Sequence, residues 1–443
     1  MSSESGRSRR ELLRRTVAVS AAAGTSLLAG CSSLGEVVGG GETTIRAYDL
    51  PDIDRDAEFE SPVAPAVPVT IQPAHLAGAR ERAVTLLGEL PMPLGADEIP
   101  NGHVRQEITD AATGAREAVS DALTAQTRLR ALQSLQNARE DARYAAAGWT
   151  VADRGLTEMD GIPDLRRELA AEHDRAVSDA RETRAAHEHV GADLPRAVTI
   201  HARIERLLYA AVESDPPREG GANSLLAVAE WGAAAERVHG HLADARHLTE
   251  QHRASLGDDP PTVEETIRTA GEQLYETLGS RRTDLPSEPT ADEWGIRERV
   301  LDDLLFTTGD DTSAADAIGP ASAVVDATEQ LARFGAVERL QRRVERDELG
   351  RPESAGDVVA LRTTAYDALD SALASATVPM LARPVVTEAG WRVIAADREL
   401  ATLRGDVSVS RLDDAVADYV LATTLARATP AAVQTVRDAL DSV

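Results

Sequence analysis

From Val104 to Leu156, apolar or small residues recur at Ile108, Ala111, Ala115, Val119, Ala122, Leu129, Leu132, Leu135, Ala142, Ala146, Trp149 and Ala152. The steps are mostly three and four, which marks one stripe along a helix. No proline interrupts the stretch, so the pattern predicts a single helix of ~50 residues, ~75 Å long at 1.5 Å per residue. Its weak points are Gly114 and Gly148. A helix of that length cannot bury its stripe alone, so other helices are expected to lie along it.

The same period runs through the remaining segments. Before it, Ala74 to Leu90 reads as a helix closed by Pro91-Met92-Pro93; after it come Pro163 to Val190, Pro195 to Glu213 and Ser224 to Leu256. Thr262 with Glu265, and Thr290 with Glu293, have the spacing of a capping box and predict helices to about Leu278 and Phe306. Pro320 to Leu349, Ser354 to Ala376, Met380 to Leu403 with its early Pro384, Ser410 to Ala428, and Pro430 to Val443 complete the chain. No segment alternates like a strand; Val67 to Ile71 carries Pro68 and suits a docked extended piece better than a sheet. The predicted fold class is all-α: an antiparallel helical bundle of long helices around one very long helix. It occupies residues 67–443, with a sub-boundary expected near 257–262, and follows a disordered tether at residues 31–66 rich in glycine, charge and spaced proline.

Composition narrows the functions. The 443 residues hold 74 Asp plus Glu against 47 basic residues, none of them lysine, for a net charge of -27. So acidic a surface repels phosphate backbones, and 3% aromatic residues leave little for base stacking, so nucleic acid is not an expected partner. Cys31 is the only cysteine, so no intrachain disulfide forms and stability must come from burial. Each tryptophan, at 149, 231, 294 and 391, is expected to anchor helix packing; the unequal intervals do not make a structural repeat.

Candidate chemistry is sparse. Glu236 with His239, and Asp244 with His247, have the carboxylate-histidine spacing found in bundles that hold two metal ions, but both copies lie on one helix rather than two. These four are the candidate metal ligands, weighed against ordinary histidines on a solvated acidic surface. His187 and His189 sit ~200° apart on a continuous helix and cannot share an ion unless it unwinds. No serine nucleophile elbow, zinc-protease motif or phosphate-cradling glycine loop is found. Neither catalytic residues nor cofactors are predicted, and no enzyme activity is expected.

The amino end decides the expected location. Arg9 and Arg10 precede an apolar run, Thr16 to Gly30, that ends at Leu28-Ala29-Gly30-Cys31. At ~15 residues the run is short for a spanning helix, which needs ~20. The pattern resembles a twin-arginine export signal (residues 1–30) joined to a lipoprotein lipobox, with Leu12 where a phenylalanine is usual. The resemblance implies lipid on Cys31 and a place on the outer face of the cell membrane. Acid excess, absent lysine and few aromatics are similar to proteins of halophilic archaea. The expected function is therefore that of a lipid-anchored extracytoplasmic helical protein with a structural or interaction role and an envelope-protein partner. The alternative is a ligand- or metal-binding lipoprotein with a site between helices.

Overall fold

The computed structural model describes residues 43–54, 60–217, 224–291, 293–308 and 318–443. Arg9, Arg10 and Cys31 lie outside them. Twelve α-helices build the described chain: α1 (Pro73–Leu87), α2 (Gly102–Thr124), α3 (Arg128–Asp153), α4 (Ile162–Ala185), α5 (Leu194–Val212), α6 (Ser224–Ala254), α7 (Glu264–Arg282), α8 (Ile296–Thr308), α9 (Pro320–Glu345), α10 (Ala355–Ser375), α11 (Pro379–Thr402) and α12 (Asp413–Asp441). The fold is an all-α helical bundle. Two three-residue strands, β1 (Thr44–Arg46) and β2 (Asp406–Ser408), pair antiparallel with Ile45 opposite Val407.

The single helix expected from Val104 to Leu156 is two. Ala125 turns extended (φ -57°, ψ 134°), and Thr127 restarts the helix by accepting the Arg130 amide at 3.1 Å. The Thr127 hydroxyl also donates to the Pro65 carbonyl at 2.7 Å. A segment 62 residues away thus enforces the break, and each half keeps its part of the apolar stripe. Because α2 folds back on α3, Ile108 faces Gly148 while Gly114 faces Asp141, which makes the pair antiparallel. A methyl carbon at Gly148 would lie 2.3 Å from Ile108, so glycine sets that approach.

Part of the expected tether is folded. Ile45, Leu50 and Val63 are buried, the Ala64 carbonyl accepts from Arg383 at 3.0 Å, and the Ile71 carbonyl accepts from Arg128 at 2.9 Å. Two buried apolar residues in each described stretch, Ile45 and Leu50, then Val63 and Ala64, dock it. Residues 67–71 run along the body without forming a strand.

Helix starts and joins also shift. Neither Thr262 nor Thr290 caps: α7 begins at Glu264 without a side-chain cap, and Glu298 accepts the Gly295 amide at 3.0 Å instead. Ser354 and Asp357 do form a reciprocal capping box. The two helices expected around Pro430 are one. Proline inside a helix costs ~3 kcal/mol. Burial of Val433, Val436 and Leu440 beyond it returns ~1.5–3 kcal/mol each, which wins. Trp294 and Trp391 are 39% exposed and are not core anchors; Trp149 and Trp231 do pack against apolar clusters.

Apolar residues gather in a large cluster from α7 to α12 and three smaller ones from α1 to α6. Helix α5 serves both sides: Ala197, Val198 and Ala202 enter the first, while Ile200, Ile204, Leu207 and Leu208 enter one of the others. A polar side chain on α5 therefore sits at the seam between two cores.

Candidate metal centre

That seam holds histidines. The helix predicted to reach Val190 stops at Ala185, and residues 186–193 cross to α5, where the Asp193 carboxylate accepts the Arg196 amide at 3.0 Å. The crossing is pinned by main-chain bonds to the approach of α7: the Val263 amide donates to the His189 carbonyl (2.9 Å) and the Gly191 amide to the Pro261 carbonyl (3.0 Å). These bonds engage residues around Thr262 in an extended pairing with Val190, which is why the predicted capping box does not form. Unwinding frees His187 and His189 to face the same way.

They meet His201 of α5. His187 Nε2 lies 3.0 Å from His201 Nδ1, and the three ring centroids are 4.8–5.0 Å apart. One ring nitrogen from each of the three falls within 4.8 Å of the others. His252, from the end of α6, closes the cluster: its Nε2 is 2.8 Å from the Val190 carbonyl, and its ring centroid is 5.0 Å from that of His201. His189, His201 and His252 are buried, which corrects the expectation of solvated histidines.

Glu205 orients the set. One turn after His201, its buried carboxylate accepts the Ala321 amide (3.1 Å) and the Ser322 amide (2.6 Å) at the start of α9. A carboxylate facing main-chain N–H groups at a helix N-terminus serves as their acceptor. His189 Nε2 lies 2.6 Å from the same carboxylate. In the tautomer that donates from Nε2 to Glu205, the lone pair is on His189 Nδ1, a buried nitrogen with no hydrogen-bond partner among the described residues; the Glu264 carboxylate is 3.5 Å from it. A carboxylate holding one ring nitrogen so that the other can ligate is the usual outer support of a metal-bound histidine. Gly319 is required beside it, since a methyl carbon there would lie 2.3 Å from the Glu205 carboxyl carbon.

Electrostatics favour neutral rings. Burial, then the neighbouring His201, pushes His187 down to about 3; burial pushes His201 down to about 4 against an opposing bond to Val190. Burial also lowers His252. Imidazole binds metal only when neutral, so these rings reach neutral pH ready to ligate. Tetrahedral ligands ~2.0–2.1 Å from zinc stand ~3.4 Å apart, so nitrogens up to 4.8 Å apart need to close by about 1.4 Å.

The four ligands named from sequence do not gather. Glu236 is paired with Arg82 of α1 at 2.8 Å, and His239 is 3.5 Å from Glu172 of α4. Asp244 holds His75 at 2.8 Å and Arg139 at 3.5 Å; His247 accepts the Gln72 amide at 3.1 Å and stacks on His75 with centroids 4.1 Å apart. All four are spent joining α6 to its neighbours. The centre that does form was missed because His187 and His189 look incompatible until the helix between them ends. His201 with Glu205, four apart on one helix, was the available signal.

Residues 74–259 match a family model described as "Domain of unknown function (DUF8262)", and residues 264–438 match one described as "Domain of unknown function (DUF8264)". No curated protein and no solved structure gives a significant match. The chain is thus similar to two families of unknown function that abut between residues 259 and 264, beside the crossing that carries His187 and His189.

Proposed function

We propose that this protein is a lipid-anchored, extracytoplasmic binding protein for a divalent transition-metal ion, held by His187, His189 and His201. The observation that carries the reading is the three-histidine cluster, with His189 and His201 buried, His187 half-buried, and His189 beside Glu205. Imidazole donors suit zinc, nickel, copper and cobalt rather than calcium or magnesium. A net charge of -27 enriches cations at the surface and supplies the approach. The location rests on Arg9, Arg10 and Cys31, where dual acylation of one cysteine would give stable anchoring. No helix among the described residues is long and apolar enough to cross a membrane.

The test is calorimetric titration of chelator-stripped full-length protein with zinc, in concentrated KCl. One equivalent is expected, weakened at least tenfold by His187→Ala and unchanged by His103→Ala, whose side chain is exposed on α2. Cobalt should show the intense visible bands of a tetrahedral site in the parent only. Binding that His187→Ala leaves intact would overturn the site and return the protein to a structural or interaction role with an envelope partner. Replacing Cys31 with serine should release the protein from the membrane; retention would remove the anchoring argument.

A further inference from the structure

A second site lies at the other end of the large core, and it has the opposite charge. The last turns of α9 bring Arg339, Arg342 and Arg343, and the residue just after it, Arg346, to the wall of a cavity of about 310 Å³, and Arg427 of α12 faces them. Glu348 is the one carboxylate on that wall among the described residues. Five arginines against one acid is a local inversion of a chain that carries 74 acids and 47 basic residues.

Ordinary structural roles absorb only part of the set. Arg342 and Arg343 complement the carboxyl end of α9, and Arg343 and Arg346 each lie 3.8 Å from Glu348. Arg339 sits before that last turn, and Arg427 lies in the middle of α12, far from either end. Among the described residues, Arg339, Arg342 and Arg427 make no ion pair. Burial lowers the pKa of Arg343, Glu348 opposes that, and the charge of Arg427 across the cavity lowers it further. An adjoining cavity of about 440 Å³ shares Arg339 and Arg427 and continues past Asp367 to Ser371 and Ser375, which gives a bound group room to extend.

We infer that this cavity binds a compact phosphorylated anion of the pyrophosphate or phosphate-ester class, held by Arg339, Arg343 and Arg427. Guanidinium forks from two helices meet oxyanion edges in pairs, a geometry that a point charge does not provide. Water occupies ~30 Å³ per molecule, so the first cavity holds roughly ten waters' worth of ligand, too small for a polymer and ample for two phosphate groups. Arg339 and Arg343 are half-buried and Arg427 is exposed, so paired guanidinium–oxyanion bonds rather than long-range attraction, which 1 M salt screens beyond ~3 Å, have to hold the ligand.

The experiment is titration of the full-length protein with inorganic pyrophosphate in ~1 M KCl, with Arg339→Gln, Arg427→Gln and, as a control on an exposed arginine elsewhere, Arg166→Gln. One equivalent should bind, each cavity variant should lose about tenfold or more in affinity, and Arg166→Gln should match the parent. Helical circular dichroism identical to the parent's shows that each variant folds; if either cavity variant misfolds, Arg339→Lys serves, and it should weaken binding because lysine lacks the fork. No binding at millimolar pyrophosphate, equal loss in all variants, or tighter binding of citrate than of pyrophosphate would each overturn the assignment.

Discussion

Replacing Glu205 with alanine tests whether one carboxylate both caps α9 and orients the histidines. Its oxygens accept two main-chain amides, at 3.1 and 2.6 Å, and His189 Nε2 at 2.6 Å, and the residue is 4% exposed. Removing the acceptor leaves buried donors unpaired at ~1–3 kcal/mol each, and α9 loses a negative charge at its N-terminus worth ~0.3–1 kcal/mol. Three stranded donors and the lost charge sum to about 3–10 kcal/mol. Glu205→Gln keeps one acceptor oxygen but turns an amide donor toward Ser322 or Ala321, so about 1–2 kcal/mol is expected. Urea unfolding followed by circular dichroism at fixed KCl measures both, and zinc titration follows the histidine half of the argument. In Glu205→Gln the His189 proton is no longer held by a charge, so zinc affinity should fall although the protein folds. A cost below ~1 kcal/mol for Glu205→Ala, with zinc affinity unchanged, would refute both roles.

Acid should act through the same cluster. His201 has a folded value near 4 against about 6.5 unfolded, so the unfolded chain binds the extra proton; its contribution is full above pH ~6.5 and is lost as pH falls through ~4, on the order of 3 kcal/mol. His201→Gln should flatten that slope in a pH series of urea midpoints; an unchanged slope removes His201 as its source. Gly240→Ala would set a methyl carbon 2.0 Å from Gln136 Oε1 and 2.8 Å from Arg139 Nη2, costing ~1–3 kcal/mol. Gly279→Ala on α7 meets nothing within 4 Å and should stabilise by ~0.5–1 kcal/mol; thermal melts of the two should move in opposite directions. Asp397, 2% exposed, accepts from Arg362 (two bonds of 2.8 Å), Tyr366 (2.9 Å) and Tyr419. Asp397→Ala should cost ~3–5 kcal/mol by stranding Arg362 and two hydroxyls, and a midpoint within error of the parent would show the network to be dispensable.

Periodicity made the helices legible, because burial on one face repeats every 3.6 residues whatever the partner. Most predicted spans lie within a few residues of the observed ones, and Ser354 with Asp357 shows that a cap depending on its own four residues can be read locally. Where local signals failed, a distant group had intervened. The Pro65 carbonyl holds Thr127 and divides the longest stripe, and the pairing of Val190 with Thr262 displaces a capping box while ending α4 early. The candidate centre was hidden for the same reason. Glu236 and His239 look like ligands by spacing, yet Arg82 and Glu172 claim them, whereas His187, His189 and His201 come together only because a helix stops and a turn is pinned. The arginine cavity likewise joins a visible basic run at 339–346 to a single arginine of α12. Sequence alone determined the helical class and the charge of the surface, since both follow from residue types and their period. The tertiary structure decided which polar groups face one another, since hydrogen bonds and charge pairs depend on distances that only packing sets.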